Sequence, residues 1–329
     1  MDVINVAQLG VGYWGPNLLH NLEASPAFKV SRVADLSAER RNFVHSKYPN
    51  ITLSESAEDV FQDPEIQAVV IATPAGTHYE MAMRALEAGK HILVEKPLAT
   101  TPGNVQEIGD TARKNHLVCM VGHTFLYNAA VRYLKELIDS GDLGQVRYIY
   151  CQRLNLGRIR SDTDALWNLA PHDVSIVQYL FGNPTPIRVT RSGMSYVQQG
   201  IDDVVFLNIT YPNRVLVNIH VSWLDPIKAR RIVVVGSDKM VEYDDIAENK
   251  IAIYNTGIDK VSVLGENMDY DNPISSFSYR SGEVTYPSLE YPEPLQEEIH
   301  HFADCIRTGK ECLSGVEHAL QVTRILCSD

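Results

Sequence analysis

Three glycines near the amino terminus follow the spacing GxGxxG. Gly10, Gly12 and Gly15 stand where a strand-like run ends and a helical pattern begins. Glycine suits a loop in which the turn is tight, the backbone approaches a pyrophosphate closely and the helix N-terminus supplies amide donors. The spacing alone is also compatible with an ordinary glycine turn. Its position between strand and helix favours a dinucleotide-binding loop.

An aspartate strengthens this interpretation. Asp35 ends the second predicted strand, 20 residues after Gly15. A carboxylate at this point accepts hydrogen bonds from both hydroxyls of an adenine ribose and repels a 2′-phosphate, so NAD is favoured over NADP. The alternative is that a 2′-phosphate binds to the residues that follow closely, Ser37, Arg40 and Arg41, with the Asp35 side chain pointing away from it.

A charged pair follows another buried-type strand. Residues 92–97 read ILVEKP, so Glu95 and Lys96 come at the carboxyl end of the strand, the edge where ligands of open α/β sheets bind. A lysine ammonium at this edge can donate a hydrogen bond to a substrate hydroxyl. The alternative is a Glu-Lys surface pair with no chemical role.

The elements that position these residues alternate along the first third of the chain. Short β-branched runs and helical patterns of about 10 to 15 residues follow one another from residue 3 to about residue 123, as in repeated βαβ units. The predicted strands are apolar at consecutive positions, as expected for strands covered on both faces. They span residues 4–9, 30–34, 68–72, 92–95 and 118–122. We therefore predict a doubly wound parallel sheet in a domain of residues 1–124.

The pattern changes after about residue 125. Val215, Val217, Ile219, Val221 and Trp223 occupy every second position, which predicts a strand with one buried face. Further strands are predicted at 204–210, 231–235, 240–243 and 251–254, helices at 129–140, 173–181, 293–307 and 315–327, a hairpin turn at 211–214 and a long loop at 265–292. Residues 125–329 are thus predicted to form an α+β domain with an open, mainly antiparallel sheet.

Composition excludes several classes of function. The 329 residues include 29 basic and 41 acidic ones, which gives a net charge of −12. The composition therefore lacks the excess of basic residues that is typical of proteins that bind a nucleic acid. No apolar run is long enough to span a membrane. The five cysteines lack a CxxC pair and no histidine spacing suggests a metal site. Because no export signal is visible either, we expect a cytoplasmic protein with reduced thiols.

Several motifs together resemble one family. The chain is similar over nearly its whole length to the Gfo/Idh/MocA oxidoreductases, which act on sugars and polyols. The residues that carry the resemblance are the GxGxxG loop, Ala72-Thr73-Pro74 with His78, Glu95-Lys96-Pro97, Val121-Gly122-His123, His172, Glu293-Pro294-Leu295, His301-Phe302 and Cys305. The resemblance implies an N-terminal Rossmann domain and a C-terminal sheet that often forms the oligomer interface. A homodimer or homotetramer is expected.

The resemblance also implies catalysis by Lys96 with a histidine of the second domain, which we assign to His172. Histidine suits the proton transfer that accompanies hydride transfer, because its unperturbed pKa of about 6.5 lies near neutrality. Taken alone, a histidine before a predicted helix is equally a cap or a packing residue. The chain departs from the family four residues earlier, where an aspartate is common and Asn168 stands here. Asn168 can orient a hydroxyl but cannot hold a negative charge.

Further site residues are implied by the same resemblance. Those expected on the cofactor side, besides the three glycines, Asp35 and Lys96, are Tyr13, Trp14, Thr73, Pro74, His78 and Glu95. Within the family, residues 152–157 and 167–173 look most similar to nucleotide-sugar 3-dehydrogenases of the UDP-N-acetylglucosaminuronate type. The residues expected to bind substrate, besides Lys96, Asn168 and His172, are Tyr127, Arg153, Asn155 and Arg158. The guanidinium groups of the two arginines suit hydrogen bonding to a pyrophosphate or a carboxylate. The alternative is that both arginines are surface charges on a strand with no role in binding.

The sequence thus predicts an NAD-dependent oxidoreductase. It would transfer a hydride between a sugar secondary alcohol, C3 of a nucleotide sugar in the preferred version, and nicotinamide, while Lys96 and His172 meet on the reacting hydroxyl. Two alternatives stay open. One is an inositol or free-sugar dehydrogenase of the same family, and the other is a non-catalytic NAD-binding sensor or repressor subunit.

Overall fold

The computed structural model describes residues 3–157, 159–161, 163–260 and 277–328, which fall into two compact units. The first unit comprises Met1–Asn128, Val174–Tyr179 and Tyr291–Cys327. The second is built from Ala129–Asp173 and Leu180–Glu290. Each unit contains its own sheet.

The first unit is built on a six-stranded parallel sheet. Its strands are β1 Ile4–Leu9, β2 Phe28–Ala34, β3 Thr52–Ser54, β4 Ala68–Ile71, β5 His91–Glu95 and β6 Cys119–Gly122. They are arranged in the order β3-β2-β1-β4-β5-β6 with every neighbouring pair parallel. The predicted doubly wound sheet is confirmed. Of these six strands, only the short edge strand β3 was not predicted.

Helices cover both faces of this sheet. They are α1 Gly15–Ala24, α2 Ala38–Lys47, α3 Glu58–Phe61, α4 His78–Glu87 and α5 Pro102–Lys114, together with the C-terminal helices α8 Pro294–Thr308 and α9 Val316–Leu326. One core contains Phe28 and Phe302, whose rings stack at 5.9 Å, and the other contains Leu86 and Leu320. Because α8 and α9 bury their apolar faces in these cores, residues 291–327 belong to the first unit. The predicted division, with all of 125–329 in a second domain, differs from the observed one at this point.

The second unit is built on an eight-stranded sheet. Its strands are β7 Tyr148–Leu156, β8 Arg188–Met194, β9 Val204–Tyr211, β10 Val215–Ser222, β11 Leu224–Val235, β12 Met240–Asp244, β13 Ile251–Tyr254 and β16 Val284–Thr285. The order is β16-β13-β12-β11-β7-β10-β9-β8, and only the β7–β10 pair is parallel. The mainly antiparallel sheet is therefore confirmed. The predicted hairpin turn is a 3-10 turn, Pro212–Arg214, in which Asn213 adopts a φ of 61°.

Two parts of the second unit differ from the expectations. The predicted loop at 265–292 contains β15 Phe277–Arg280, which pairs with β14 Gly257–Lys260, and it also contains β16; residues 261–276 lie outside the described residues. The two other helices are α6 Ala129–Asp139 and α7 Ala165–Phe181. Helix α7 begins eight residues before the predicted start because Asp164 caps it, accepting a 2.8 Å hydrogen bond from the Trp167 amide.

Candidate active site

The glycine loop between β1 and α1 is held by close backbone contacts. Gly10 has a φ of +87°, and a Cβ there would lie 2.7 Å from the carbonyl oxygen of Ala72, at the end of β4. A Cβ on Gly15 would lie 2.7 Å from the carbonyl oxygen of Gly10. The fully buried Gln8 donates from Nε2 to the carbonyl oxygens of Gly10 and Gly15, at 2.9 Å each. Neither glycine has room for a side chain.

Gly12 is different, because no protein atom lies within 4 Å of a Cβ built there. Among the described residues, no acceptor is bonded to the amides of Gly12 and Tyr13, which precede the N-terminus of α1. Tyr13 is 89% exposed and Trp14 is exposed beside it. Open space, unbonded amides and a helix N-terminus suit a pyrophosphate. The loop therefore fits a dinucleotide.

Asp35 lies against this loop. Its Oδ2 accepts from the Val11 amide at 2.7 Å and its Oδ1 accepts from the Ser37 amide at 2.8 Å. Each carboxylate oxygen keeps a second lone pair with which it can accept from a ribose hydroxyl. Arg41 donates to the carbonyl oxygens of Asp35 and Leu36, at 2.7 and 3.0 Å, and its guanidinium pairs with a neighbouring glutamate.

The strands β4 and β5 end at the same edge of the sheet. Thr73 and Pro74 follow β4, half-buried and exposed respectively. His78, in contrast, is 1% exposed, and its ring nitrogens lie 2.8 Å from the Thr73 carbonyl oxygen and 2.7 Å from that of Pro97. Burial lowers the pKa of His78, opposed by these two hydrogen bonds. The histidine ties the two loops together rather than lining a surface.

Lys96 follows β5, and its neighbour Glu95 points inward. A Cβ on Gly122, at the end of β6, would lie 3.0 Å from Oε1 of Glu95, so the carboxylate packs closely against this glycine. Burial raises the pKa of Glu95 to about 7, opposed by the charge of Lys96 and by the Lys96 amide, which donates to Oε2 at 3.3 Å. Lys96 is half-buried.

In the second unit, helix α7 carries Asn168 and His172. The two residues are four apart and share one face of the helix, and both are half-buried. The buried indole of Trp223 donates from Nε1 to Oδ1 of Asn168 at 3.2 Å, which orients the amide. A Cβ on Gly157 would lie 3.0 Å from the Asn155 side chain and 3.2 Å from the Trp223 ring. The structure thus brings Asn155 near the indole that orients Asn168.

Arg153 of β7 forms a buried ion pair with Asp173, the residue after His172. Nε and Nη2 donate to the two carboxylate oxygens at 2.8 and 3.0 Å, and the side chains are 8% and 1% exposed. Burial works to lower the pKa of Arg153, but Asp173 outweighs it and holds the pKa above its usual value. This bidentate pair attaches helix α7 to the sheet.

Two other expected substrate residues have different outcomes. Tyr127 is 1% exposed, and its hydroxyl lies 3.1 Å from Ser314 Oγ and 3.8 Å from Met120 sulfur, inside the first unit. It is placed to pack, and no face of its ring is available to a sugar. Arg158 lies outside the described residues, so its expected role stays a prediction.

Three residues that shape these sites were missed. Gln8 is a polar residue inside an apolar strand just before the glycines, and that position was the available signal. Asp173 follows the histidine directly, and its pairing with Arg153 joins residues 20 positions apart. Trp223 ends the alternating strand and gave no sign that its indole would bond Asn168.

The described part of the chain contains no helix long and apolar enough to cross a bilayer. In the same residues, no group of three or more His, Cys, Asp or Glu side chains is placed to bind a metal ion.

Comparison with known proteins agrees with this geometry. A model of an oxidoreductase family with an NAD-binding Rossmann fold matches residues 4–123, and the model of the GFO/IDH/MocA C-terminal domain matches residues 131–242. The chain is 28% identical over 255 residues to UDP-N-acetylglucosamine 3-dehydrogenase of Acidithiobacillus ferrooxidans, covering 76% of each chain. It is 26% identical over 321 residues to the NAD-dependent scyllo-inositol 2-dehydrogenase of Bacillus subtilis, covering 93% of this chain and 87% of the relative.

The fold matches as well. A solved structure of the UDP-N-acetylglucosamine 3-dehydrogenase from A. ferrooxidans superposes with a TM-score of 0.79 at 23% identity, over 99% of this chain and 96% of that one.

The glycine loop yields a first prediction. Gly12→Ala should change the free energy of unfolding by less than about 0.5 kcal/mol, because a methyl group meets no protein atom there. It should weaken NAD binding by about tenfold or more, because the methyl group occupies the space for the pyrophosphate. Urea unfolding and calorimetric titration measure the two effects. Gly10→Ala is the matched control and should destabilise the fold itself; wild-type NAD affinity in Gly12→Ala would contradict this placement of the pyrophosphate.

The buried ion pair between Arg153 and Asp173 yields a second prediction. Asp173→Asn leaves the Arg153 charge buried without its counter-ion and should lower the free energy of unfolding by about 3 kcal/mol or more. The double variant Arg153→Met with Asp173→Leu removes both charges and should recover most of that loss. Denaturant unfolding of both variants decides the matter. A single variant as stable as the wild type would show that the pair does not hold helix α7.

Proposed function

Because the chain belongs to the Gfo/Idh/MocA family of oxidoreductases, we propose that it is an NAD-dependent dehydrogenase acting on a nucleotide sugar, at C3 of the hexose. The observation that carries the proposal is the position of Lys96. It follows β5 at the carboxyl edge of the parallel sheet, the same edge that carries the glycine loop after β1 and Thr73 after β4. A cation at this edge suits an alcohol that is to be oxidised beside the dinucleotide.

The proposed roles follow from the chemistry of each group. Bound nicotinamide supplies the hydride acceptor at C4. His172 takes the hydroxyl proton as general base, while Lys96 donates a hydrogen bond to the same oxygen and favours its developing negative charge. Asn168 orients the sugar through its amide, itself oriented by Trp223. In the reverse direction the same groups return the proton to the carbonyl oxygen.

The substrate class rests on the relatives and on the amides of the second unit. A nucleotide-sugar dehydrogenase and an inositol dehydrogenase are both among the relatives, at similar identity. Asn155 and Asn168 offer hydrogen bonds to sugar oxygens. Arg153 has no part in our proposal as a phosphate or carboxylate ligand, because Asp173 already neutralises its charge in the core. Tyr127 is likewise left out, because it is buried.

The cofactor proposal rests on Asp35. Its carboxylate lies at the glycine loop, and Arg41 beside it is engaged with two carbonyl oxygens and Glu55. Ser37 accepts from the Arg40 amide and caps α2. These contacts favour a ribose with a free 2′-hydroxyl, so we propose NAD rather than NADP.

We also propose that the protein forms a homodimer or homotetramer through the eight-stranded sheet. Tyr148, Phe206 and Leu216 are exposed on three of its strands, β7, β9 and β10. Apolar side chains on an open sheet face suit association with a second copy.

A third prediction tests the function. Wild-type protein should reduce NAD with UDP-N-acetylglucosamine or its uronate at a kcat/KM at least about tenfold above that with inositols or free hexoses. Lys96→Met should lower kcat by about a thousandfold, and His172→Gln by about a hundredfold or more, with NAD affinity nearly unchanged. Absorbance of the reduced nicotinamide follows the reaction, and titration gives the affinity.

Lys29→Met is the matched control, since this exposed lysine lies on β2 away from the carboxyl edge. Faster turnover of inositol or hexose would replace the substrate proposed here. NAD binding without turnover of any of these compounds would favour the sensor alternative.

A fourth prediction concerns the choice of cofactor. Asp35→Asn keeps a hydrogen-bond acceptor at the loop but removes the charge that repels a 2′-phosphate. The preference for NAD over NADP, measured as the ratio of the two Kd values, should fall by about tenfold. Glu55→Gln removes one contact of Arg41 but leaves its hydrogen bonds to two carbonyl oxygens and the Asp35 charge in place, so the ratio should stay nearly unchanged. Equal ratios in wild type and Asp35→Asn would remove Asp35 from cofactor selection.

A further inference from the structure

Two cysteines and a histidine form a cluster at the end of helix α8, and the proposed reaction uses none of them. Cys305 lies in the last turn of α8 and is 0% exposed. Cys312 lies in the segment between α8 and α9 and is half-buried. Both carry reduced thiols. Two neighbouring thiols can exchange with an external disulfide and then with each other, which a single thiol cannot do.

Three contacts fix the segment around Cys312 against α8. Sγ of Cys305 lies 3.5 Å from Nε2 of His301, one helical turn earlier. The same nitrogen accepts a 3.0 Å hydrogen bond from the Leu313 amide. The carbonyl oxygen of Glu311 lies 3.9 Å from Sγ of Cys305. Backbone atoms on both sides of Cys312 are therefore packed against the side chains of Cys305 and His301.

The two thiols are themselves in contact. A hydrogen bond joins the side chains of Cys305 and Cys312. This hydrogen bond lowers the pKa of Cys305, against the effect of burial, and it raises the pKa of Cys312. The pair therefore holds a thiolate, the nucleophilic form of cysteine, at lower pH than an isolated thiol does. Of the two residues, Cys312 is the partly exposed one, so an external reagent reaches its sulfur first.

The fold brings the two cysteines together in two steps. Gly309 follows α8 with a φ of +68°, a left-handed conformation that favours glycine and turns the chain back towards the helix. The carbonyl oxygen of Ser314 then accepts a 2.9 Å hydrogen bond from the Val121 amide of β6, which attaches the segment to the parallel sheet. Cys312 is thus held beside Cys305 by the backbone of the folded protein, and a reaction between them requires no unfolding.

We propose that Cys305 and Cys312 are a thiol pair that a small-molecule disulfide, such as oxidised glutathione, converts reversibly into an intramolecular disulfide. Cys312, as the thiolate, attacks one sulfur of the reagent; a mixed disulfide forms, the S–S bond of the reagent breaks and one reagent thiolate leaves. Cys305, as the thiolate, then attacks the sulfur of Cys312, and the second reagent thiolate leaves. The two leaving thiolates take up the two protons that the cysteines lose. The pair is oxidised by two electrons, and the reagent is reduced to two thiols.

The test begins with the folded wild-type protein and oxidised glutathione. The remaining thiols are then alkylated, and the digested protein is analysed by mass spectrometry. Cys305 and Cys312 should both escape alkylation and appear in one crosslinked peptide, and reduction with dithiothreitol should restore both thiols. Cys327→Ser, at an exposed cysteine, is the matched control and should give the same crosslink. A wild type in which Cys305 and Cys312 stay open to alkylation would overturn the proposal.

Two variants test the order of the steps. Cys305→Ser lacks the second nucleophile, so a mixed disulfide of Cys312 with glutathione should accumulate to at least about tenfold its level in the wild type. In Cys312→Ser, the buried Cys305 should form a mixed disulfide at least about tenfold more slowly than Cys312 does in Cys305→Ser. Equal rates would contradict the first attack by Cys312, and a wild type that accumulates the mixed disulfide without a crosslink would contradict the second by Cys305.

Circular dichroism of each variant shows whether it is folded before the reagent is added. A crosslink that forms only after unfolding in urea would contradict the placement of the two thiols. The measurement requires no turnover of a sugar, so failure of the proposed dehydrogenase function leaves this inference standing, and absence of the crosslink leaves the proposed function standing.

Discussion

The close approach of backbone segments at the carboxyl edge of the parallel sheet is the constraint on which the first unit depends. The turn after β1 contacts the carbonyl of Ala72 after β4, with no room for a side chain on Gly10. Gln8 reinforces it by donating to two carbonyl oxygens within the glycine loop, and His78 by placing its ring nitrogens within 2.8 Å of carbonyl oxygens from two different loops. These contacts bring the glycine loop, Thr73 and Lys96 to one edge. A dinucleotide-binding surface results from backbone packing more than from any single side chain.

A different interaction serves the second unit. Helix α7 carries its chemically interesting residues near an internal proline, Pro171, which cannot donate a backbone hydrogen bond. The Arg153–Asp173 pair binds the helix to β7 directly after this point, and the Trp223 indole binds it at Asn168. Buried ion pairs contribute little net stability compared with apolar packing, but they impose one geometry, since any other leaves a charge unpaired. That property suits a helix whose side chains must be oriented.

The sequence predicted the parallel sheet, the glycine turn after β1 and the position of Lys96 after a strand, because these depend on local patterns. Consecutive apolar runs, glycine spacing and strand ends are visible in a short window. Contacts between distant residues were not predictable in the same way. Arg153 was expected to bind substrate, with a surface charge as the alternative, and it forms a buried ion pair; Tyr127 was expected to bind substrate, and it is a core residue. The early start of α7 was missed because the cap at Asp164 was not recognised.

Asn168 shows how the chain's departure from its family fits the proposed chemistry. A carboxylate at this position would accept the indole hydrogen bond of Trp223 as the amide oxygen does, so that contact does not distinguish the two side chains. The two side chains differ at the atom that does not contact the indole. In asparagine this atom is a nitrogen with N–H donors, and in aspartate it is a charged oxygen that accepts hydrogen bonds. In the proposed reaction, the hydroxyl oxygen becomes more negative as His172 removes its proton. An amide donor stabilises that oxygen alongside Lys96, whereas an ionised carboxylate beside it would oppose the charge. An asparagine at this position is therefore electrostatically compatible with alcohol oxidation. Its amide nitrogen would donate a hydrogen bond to the sugar, whereas a carboxylate would accept one.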